Sequence, residues 1–217
     1  MRKTTTLLLF ILIVIISTKD SYSQDIHEIM MRATYQISGF NDEGNEIVGS
    51  CFFVGKPVKY DSTKLYYVLV TAKHVLESIT TDEAHIKARI KLSDSTYKVI
   101  ISIFNIRDNS KNLYFTHSDS SIDIASIYIS IPNNFDLNVI PADYLADDDY
   151  LKSIEIHPGD NVFCVGFPFG RSSNEYYFPI LTDGIISSYP ILPTKVFKRI
   201  LININIFSGN SGGPIYL

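Results

Sequence analysis

Three residues in this chain have the types needed for nucleophilic chemistry. The hexapeptide Gly209-Asn210-Ser211-Gly212-Gly213-Pro214 sets a serine among glycines. Serine is a weak nucleophile at its free pKa and needs a base beside it. It also needs donors aimed at the oxygen that turns negative during attack. A glycine two positions before the serine lets the backbone turn, so that the N–H groups of Gly209 and Ser211 can form an oxyanion hole. By composition alone the hexapeptide is equally an ordinary Gly/Asn/Ser turn. The candidate base is His74, in Leu69-Val70-Thr71-Ala72-Lys73-His74-Val75-Leu76, where an apolar run enters a small-residue turn. An imidazole held rigidly at a strand end stays within hydrogen-bond reach of a hydroxyl. The candidate orienting acid is Asp123, in Ser121-Ile122-Asp123-Ile124-Ala125. Burying a carboxylate is costly unless it is paired. A histidine N–H is a suitable partner, and the pairing fixes the ring tautomer. Asp119 competes for the role, but it sits in the polar turn His117-Ser118-Asp119-Ser120-Ser121, so Asp123 is preferred.

The elements that must hold these groups read as strands. Ala33–Phe40, Glu46–Val54, Leu65–Thr71, His85–Leu92, Tyr97–Phe104 and Ile122–Ile131 are β-rich runs bounded by turn residues. Strands resume at Asn161–Phe167, Phe178–Ser187 and Phe197–Phe207. Ala72–Ile79 suits a short helix. With 14 Tyr, 13 Phe and frequent isoleucine, the composition favours pleated, half-buried surfaces. Residues 132–156 are rich in Pro, Asn and Asp and read as a connection between residues 24–131 and 157–217. The acidic run Asp147–Asp149 within it reads as solvated. Many short strands imply an all-β barrel or sandwich, and the connection suggests two of them.

Composition also excludes classes. The net charge is −4 with no basic stripe, which gives nucleic-acid binding no support. His27, His85, His117 and His157 lack metal-ligand spacing with another His or Cys, so no metal is expected. Cys51 and Cys164 each lie in an apolar run and are read as free, buried thiols, although an oxidising compartment would permit a bridge. Arg2 and Lys3, the apolar run Leu7–Ile16, and the small residues Ser21 and Ser23 read as an export signal covering residues 1–23. The run is short for a membrane span. The folded part is therefore expected outside the cytoplasm, secreted or periplasmic, with no stable span once the signal is removed. Losing Arg2, Lys3, Lys19 and Asp20 would take the net charge from −4 to about −6.

In the order His, Asp, Ser, the elements Thr71-Ala72-Lys73-His74, Asp123-Ile124-Ala125 and Gly209–Pro214 resemble those of the chymotrypsin-like serine peptidases. Asn210 is similar to the bacterial HtrA/Deg and glutamyl-endopeptidase branches. So are Pro158–Pro168 and Leu181–Ser187, which resemble the first strands of the second barrel in those enzymes. The likeness spans roughly residues 45–217. It implies two perpendicular six-stranded β-barrels, with His74 and Asp123 from the first and Ser211 from the second. It implies peptide-bond hydrolysis through an acyl-enzyme, a polypeptide substrate and no cofactor. It places Ile206, Phe207 and Ser208 near the pocket for the residue before the scissile bond, and none of these is charged. Val75 stands where vertebrate members carry a cysteine that would pair with the one corresponding to Cys51. The sequence ends at Leu217, six residues past the serine, so the second barrel is expected to be incomplete. A peptidase-like peptide-binding module without catalysis is the alternative that this truncation raises.

Overall fold

The computed structural model describes residues 26–132 and 134–217, without the side chains of residues 62 and 63. The expected export signal, residues 1–23, lies outside the described residues. The first described element is a helix, α1 (26–33), which the sequence reading did not anticipate. Strands follow: β1 (Thr34–Phe40), β2 (Glu46–Val58), β3 (Asp61–Thr71), β4 (Glu83–Ser93) and β5 (Thr96–Asn105), with helix α2 (Lys73–Ser78) between β3 and β4. Short pieces come next: β6 (Arg107–Asp108), β7 (Lys111–Asn112), β8 (Phe115–Thr116), β9 (Ala125–Tyr128) and β10 (Ile140–Pro141), then helix α3 (Asp148–Ser153). The last four strands are β11 (Asn161–Gly166), β12 (Ile180–Ile186), β13 (Ile202–Ile204) and β14 (Ile215–Tyr216).

The chain is mostly β, as expected, but the strands divide unequally. An eight-stranded sheet runs β5-β4-β1-β2-β3-β9-β8, with β10 paired to β2. A four-stranded sheet runs β13-β12-β11-β14. The sheets are consistent with the expected two β-barrel domains, but the strand counts are eight and four rather than six and six, and neither path closes into a barrel among the described residues. The difference comes from pieces only two residues long, such as β8 and β10, which side-chain pattern cannot reveal. No helix among the described residues is long and apolar enough to cross a membrane.

The main core forms where alternate strand positions point inward. Tyr35 and Ile37 of β1, Cys51 and Phe53 of β2, Leu69 of β3, and Ala84, Ile86 and Ala88 of β4 are buried together. Val75, Leu76 and Ile79 close one end of it, which anchors the helix that follows β3. Period-2 alternation would turn Gln36, Ser50 and Arg89 toward water. All three are buried instead. The reason is that the C-terminal half lies on this polar face. Gln36 Nε2 donates to the Gly170 carbonyl at 2.7 Å, and Arg89 Nη1 donates to the Tyr177 carbonyl at 2.8 Å. Side chains of the sheet donate here to backbone carbonyls of the connection between β11 and β12, which is how buried polar groups are tolerated.

Arg89 is the largest of these groups and is fully buried, at 0% exposure. Its guanidinium lies between the rings of Tyr35 (4.1 Å) and Phe178 (4.3 Å), and Nη2 donates to the Arg32 carbonyl at 3.0 Å. The Asp136 carboxylate, buried beside it, accepts from Arg32 at 2.5 Å and lies 3.9 Å from Arg89 Nε. Residues 132–156, expected as a connection, also pack on the first sheet. Phe135 bridges to Ile90, Ile140–Pro141 pair with Val54–Gly55, and Asp147 caps α3 through the Tyr150 N–H. Arg89→Ala would leave buried carbonyls and part of the Asp136 charge without a partner. We expect it to cost about 3–5 kcal/mol of stability, read as a lower urea midpoint at unchanged slope. A loss below about 1 kcal/mol would mean that water replaces the guanidinium.

Candidate active site

Strand register brings His74 and Asp123 together. β3 and β9 are antiparallel with Thr71 opposite Ala125. Running each strand two residues outward puts Lys73 beside Asp123, so the carboxylate meets the first turn of α2. His74 Nδ1 lies 2.5 Å from Asp123 Oδ2, and the His74 backbone N–H donates to Asp123 Oδ1 at 2.9 Å. Both carboxylate oxygens are therefore held by one residue. Nδ1–H as donor leaves Nε2 with its lone pair free. The carboxylate is not buried, as the apolar neighbours of Asp123 suggested it would be. The two side chains are 53% and 49% exposed. Asp123 lies in the loop before β9, with Ile124 also exposed. Its partial burial pushes the carboxyl pKa up. The side-chain and backbone bonds from His74, with the charges of His74 and Lys73, outweigh this and hold it below the usual carboxylate range. Asp119, the competitor, is engaged elsewhere. It accepts from Ser121 and pairs with Lys198 of the C-terminal half.

Ser211 sits in the second of two consecutive turns, 207–210 and 210–213. The Asn210 N–H donates to the Phe207 carbonyl at 3.1 Å, and the Gly213 N–H to the Asn210 carbonyl at 2.9 Å. Gly209 and Gly212 occupy the third positions of these turns at φ 95° and 88°, where a side chain would be strained. Gly212 must also be bare for a packing reason. A Cβ there would meet the Ala72 nitrogen at 2.7 Å, along with the Ser50 carbonyl and Thr71 Oγ1. The backbone that carries the serine thus touches the backbone that carries the histidine. The Ser211 carbonyl accepts from the Ser50 N–H at 2.8 Å, a second tie to the first sheet. No hydrogen bond joins the His74 ring to the Ser211 hydroxyl among the described residues.

The amides of Gly209 and Ser211 are oriented by what their own peptide groups do on the opposite side. In a trans peptide the N–H and C=O point in opposite directions. The Ser208 carbonyl accepts from the Phe169 N–H at 2.6 Å, which turns the Gly209 N–H the other way. The Asn210 carbonyl is held by Gly213 in the same manner, which turns the Ser211 N–H. Neither amide donates to another group among the described residues. Phe169 adopts φ 55°, unusual for a non-glycine residue. Ser50 and Phe169 carry no sequence signal as site residues. One reads as a strand position and the other as part of a Pro-Phe-Gly turn.

Ile206, Phe207 and Ser208 lie at the entrance to these turns and are exposed. The Phe207 ring packs on Phe169 with centroids 4.8 Å apart, giving an apolar rim beside Gly209. Cys51 and Cys164 are free and buried, and burial pushes the Cys164 thiol up to about 11. Of the other histidines, His27 bonds the Tyr216 hydroxyl at 2.7 Å and His117 accepts from the Asp119 N–H. No group of three or more His, Cys, Asp or Glu side chains among the described residues is arranged to hold a metal.

The fold has counterparts among solved structures. A thermostable serine protease, AL20, from an extremophilic microorganism matches with a TM-score of 0.50 at 13% identity, covering 87% of this chain and 80% of that one. The protease Anisep from Arthrobacter nicotinovorans matches with a TM-score of 0.50 at 15% identity, covering 86% and 77%. At such identities the likeness concerns the trypsin-like fold. No curated protein matches the chain. The family pattern of the trypsin-like peptidase domain matches residues 49–217, which include His74, Asp123 and Ser211, and the chain accordingly belongs to the trypsin-like peptidase family.

Proposed function

We propose that the protein is an exported serine endopeptidase in which Ser211 is the nucleophile, His74 the base and Asp123 the group that orients the base. The observation that supports this most is the pairing of the His74 Nδ1 side with Asp123, in a chain whose serine turn has two amides, Gly209 and Ser211, that donate to no other group among the described residues. In this reading Nε2 of His74 takes the Ser211 proton as Oγ attacks the peptide carbonyl. The resulting oxyanion accepts from the Gly209 and Ser211 N–H groups. His74 then passes its proton to the leaving amine, and the acyl group stays on Ser211. Water repeats the sequence, giving up a proton to His74 and releasing the acid. Residues 24–131 supply His74 and Asp123, residues 157–217 supply Ser211, and residues 132–156 join them. Ile206, Phe207 and Ser208 would face the substrate. Their lack of charge and the exposed Phe169–Phe207 pair favour apolar over Lys or Arg side chains there. Asn210 aligns the chain with the HtrA/Deg and glutamyl-endopeptidase branches.

A fluorophosphonate probe tests the assignment, since it reacts with a serine only when a base and oxyanion donors serve it. The protein purified from outside the cytoplasm is expected to label on Ser211, and Ser211→Ala to lose the label entirely. Mass spectrometry of the labelled protein is expected to show Gln24 as its first residue. A folded protein that binds peptides but never labels would support the non-catalytic module instead.

A further inference from the structure

Ser50 lies outside the triad, yet it touches almost every part of the site. It is fully buried in β2. Its hydroxyl donates to the Gly209 carbonyl at 2.7 Å and accepts from the Phe167 N–H at 3.0 Å. Its backbone N–H donates to the Ser211 carbonyl, and its carbonyl accepts from Thr71 Oγ1 at 2.7 Å. One residue therefore holds the turn before the nucleophile, the nucleophile's own carbonyl, the end of β11 and the strand that leads to His74. Of these four ties, only the two through the hydroxyl depend on the side chain.

The Gly209 carbonyl belongs to the Gly209–Asn210 peptide, the hinge between the two amides aimed at a substrate oxygen. The Ser208–Gly209 peptide is fixed on one side by Phe169, and the Asn210–Ser211 peptide on the other by Gly213. With Gly209 at φ 95°, a conformation that glycine leaves easily, the peptide between them needs holding on both sides. Its N–H, from Asn210, is held by the Phe207 carbonyl, and its carbonyl is held by the Ser50 hydroxyl. The same hydroxyl accepts from the Phe167 N–H with one of its two lone pairs, which leaves its proton for the Gly209 carbonyl.

We propose that Ser50 is a positioning residue whose hydroxyl fixes the Gly209–Asn210 peptide and so keeps the Gly209 and Ser211 amides convergent on the substrate oxygen. This rests on the peptidase reading for its catalytic consequence, but not for its structural one. Ser50→Ala removes the donor without adding bulk. It is expected to lower kcat about 10- to 100-fold, with KM within about twofold. Affinity for a peptidyl boronate, which places an oxygen in the same donors, should fall in parallel, while affinity for a product peptide stays constant. Ser50→Thr keeps the hydroxyl and should turn over faster than Ser50→Ala even if it is no more stable. A role in stability alone would make activity follow the melting temperature rather than the hydroxyl. Should Ser50→Ala fail to fold, Ser50→Cys, close in size and a weak donor, takes its place.

Nitrogen-15 NMR supplies a readout that needs no turnover. The Gly209 and Ser211 amide resonances are expected to shift or broaden in Ser50→Ala, while that of Ile86 in the core stays put. An inactive wild type would end the peptidase reading, yet these resonances would still decide the positioning role. Unmoved Gly209 and Ser211 amides, or an unchanged kcat in an active enzyme, would overturn the proposal.

Discussion

His74→Ala is expected to fold normally and to hydrolyse peptides roughly 10⁵- to 10⁶-fold more slowly than the wild type. The size of the loss follows from the role. Without an acceptor for its proton, Ser211 attacks as a neutral alcohol, and the leaving amine receives no proton. Both halves of the acyl transfer lose the same group, so removing it costs about as much as removing the whole unit. Stability should hardly change. The His74 ring is half exposed, alanine suits the first turn of α2, and the backbone N–H at position 74 still reaches Asp123 Oδ1. Substitutions at such surface positions move stability by about 0.5 kcal/mol or less. The measurement is kcat/KM on a peptide ester beside a thermal melt. Added imidazole, entering the space vacated by the ring, should restore part of the rate. Turnover near the wild-type rate from a folded His74→Ala would remove His74 as the base.

The strands were legible where one face is apolar and the run is long. β1 to β5, β11 and β12 lie within a few residues of their expected places because alternation and bounding turn residues agree there. The expected strand 197–207 shrank to Ile202–Ile204. Its apolar residue Phe207 instead opens the turn that carries Gly209, closed by the Asn210 N–H, and Ile206 leads into it. Composition could not separate a strand from a turn built for a peptide carbonyl. β14 and the other two-residue strands exist only because a neighbour offers an edge, and no local pattern records that. The polar face of the first sheet was the larger surprise. Arg89 stands in alternation with Lys87 and Lys91, and all three read as solvent-facing. The packing of Tyr177 and Phe178 over that face makes one of them the most buried charge among the described residues. A one-dimensional pattern distinguishes the two faces of a sheet, but it does not say whether the polar one meets water or another sheet.

The same limit explains the site. His74, Asp123 and Ser211 could be picked out because each sits in a short motif. What aims the Gly209 and Ser211 amides could not. The anchors are backbone groups of Phe169 and Gly213 and a hydroxyl from β2, and any sequence can supply a backbone N–H. The closeness of β3 and Gly212 is legible only as a demand for glycine, whose reason is the approach of Ala72. Asp123 shows the opposite error. Apolar neighbours suggested burial, whereas the carboxylate is half exposed and relies on two bonds from one residue rather than on a dry pocket.

That arrangement makes Asp123→Asn the sharper probe of how the dyad works. An amide can still accept the His74 backbone N–H through Oδ1. Its Nδ2, however, would donate to ring Nδ1 and move the ring proton to Nε2. Nε2, the nitrogen proposed to take the serine proton, would then have no lone pair for it. We expect kcat to fall about 10⁴-fold, with KM and fold unchanged. The pH dependence carries a further check. Asp123 titrates below the usual carboxylate range, so it stays charged through mild acid. Its contribution to stability is complete above the unfolded carboxyl value of about 4 and is lost only as pH falls through the lower folded value. Between an exposed pair that contribution is small. Asp123 is therefore expected to add no protonation step of its own to the wild-type kcat/KM profile in mild acid. Asp123→Asn should keep the melting temperature near neutrality while losing the rate. A variant that kept its rate would show that the carboxylate merely neighbours the ring, and that His74 needs no partner to present Nε2.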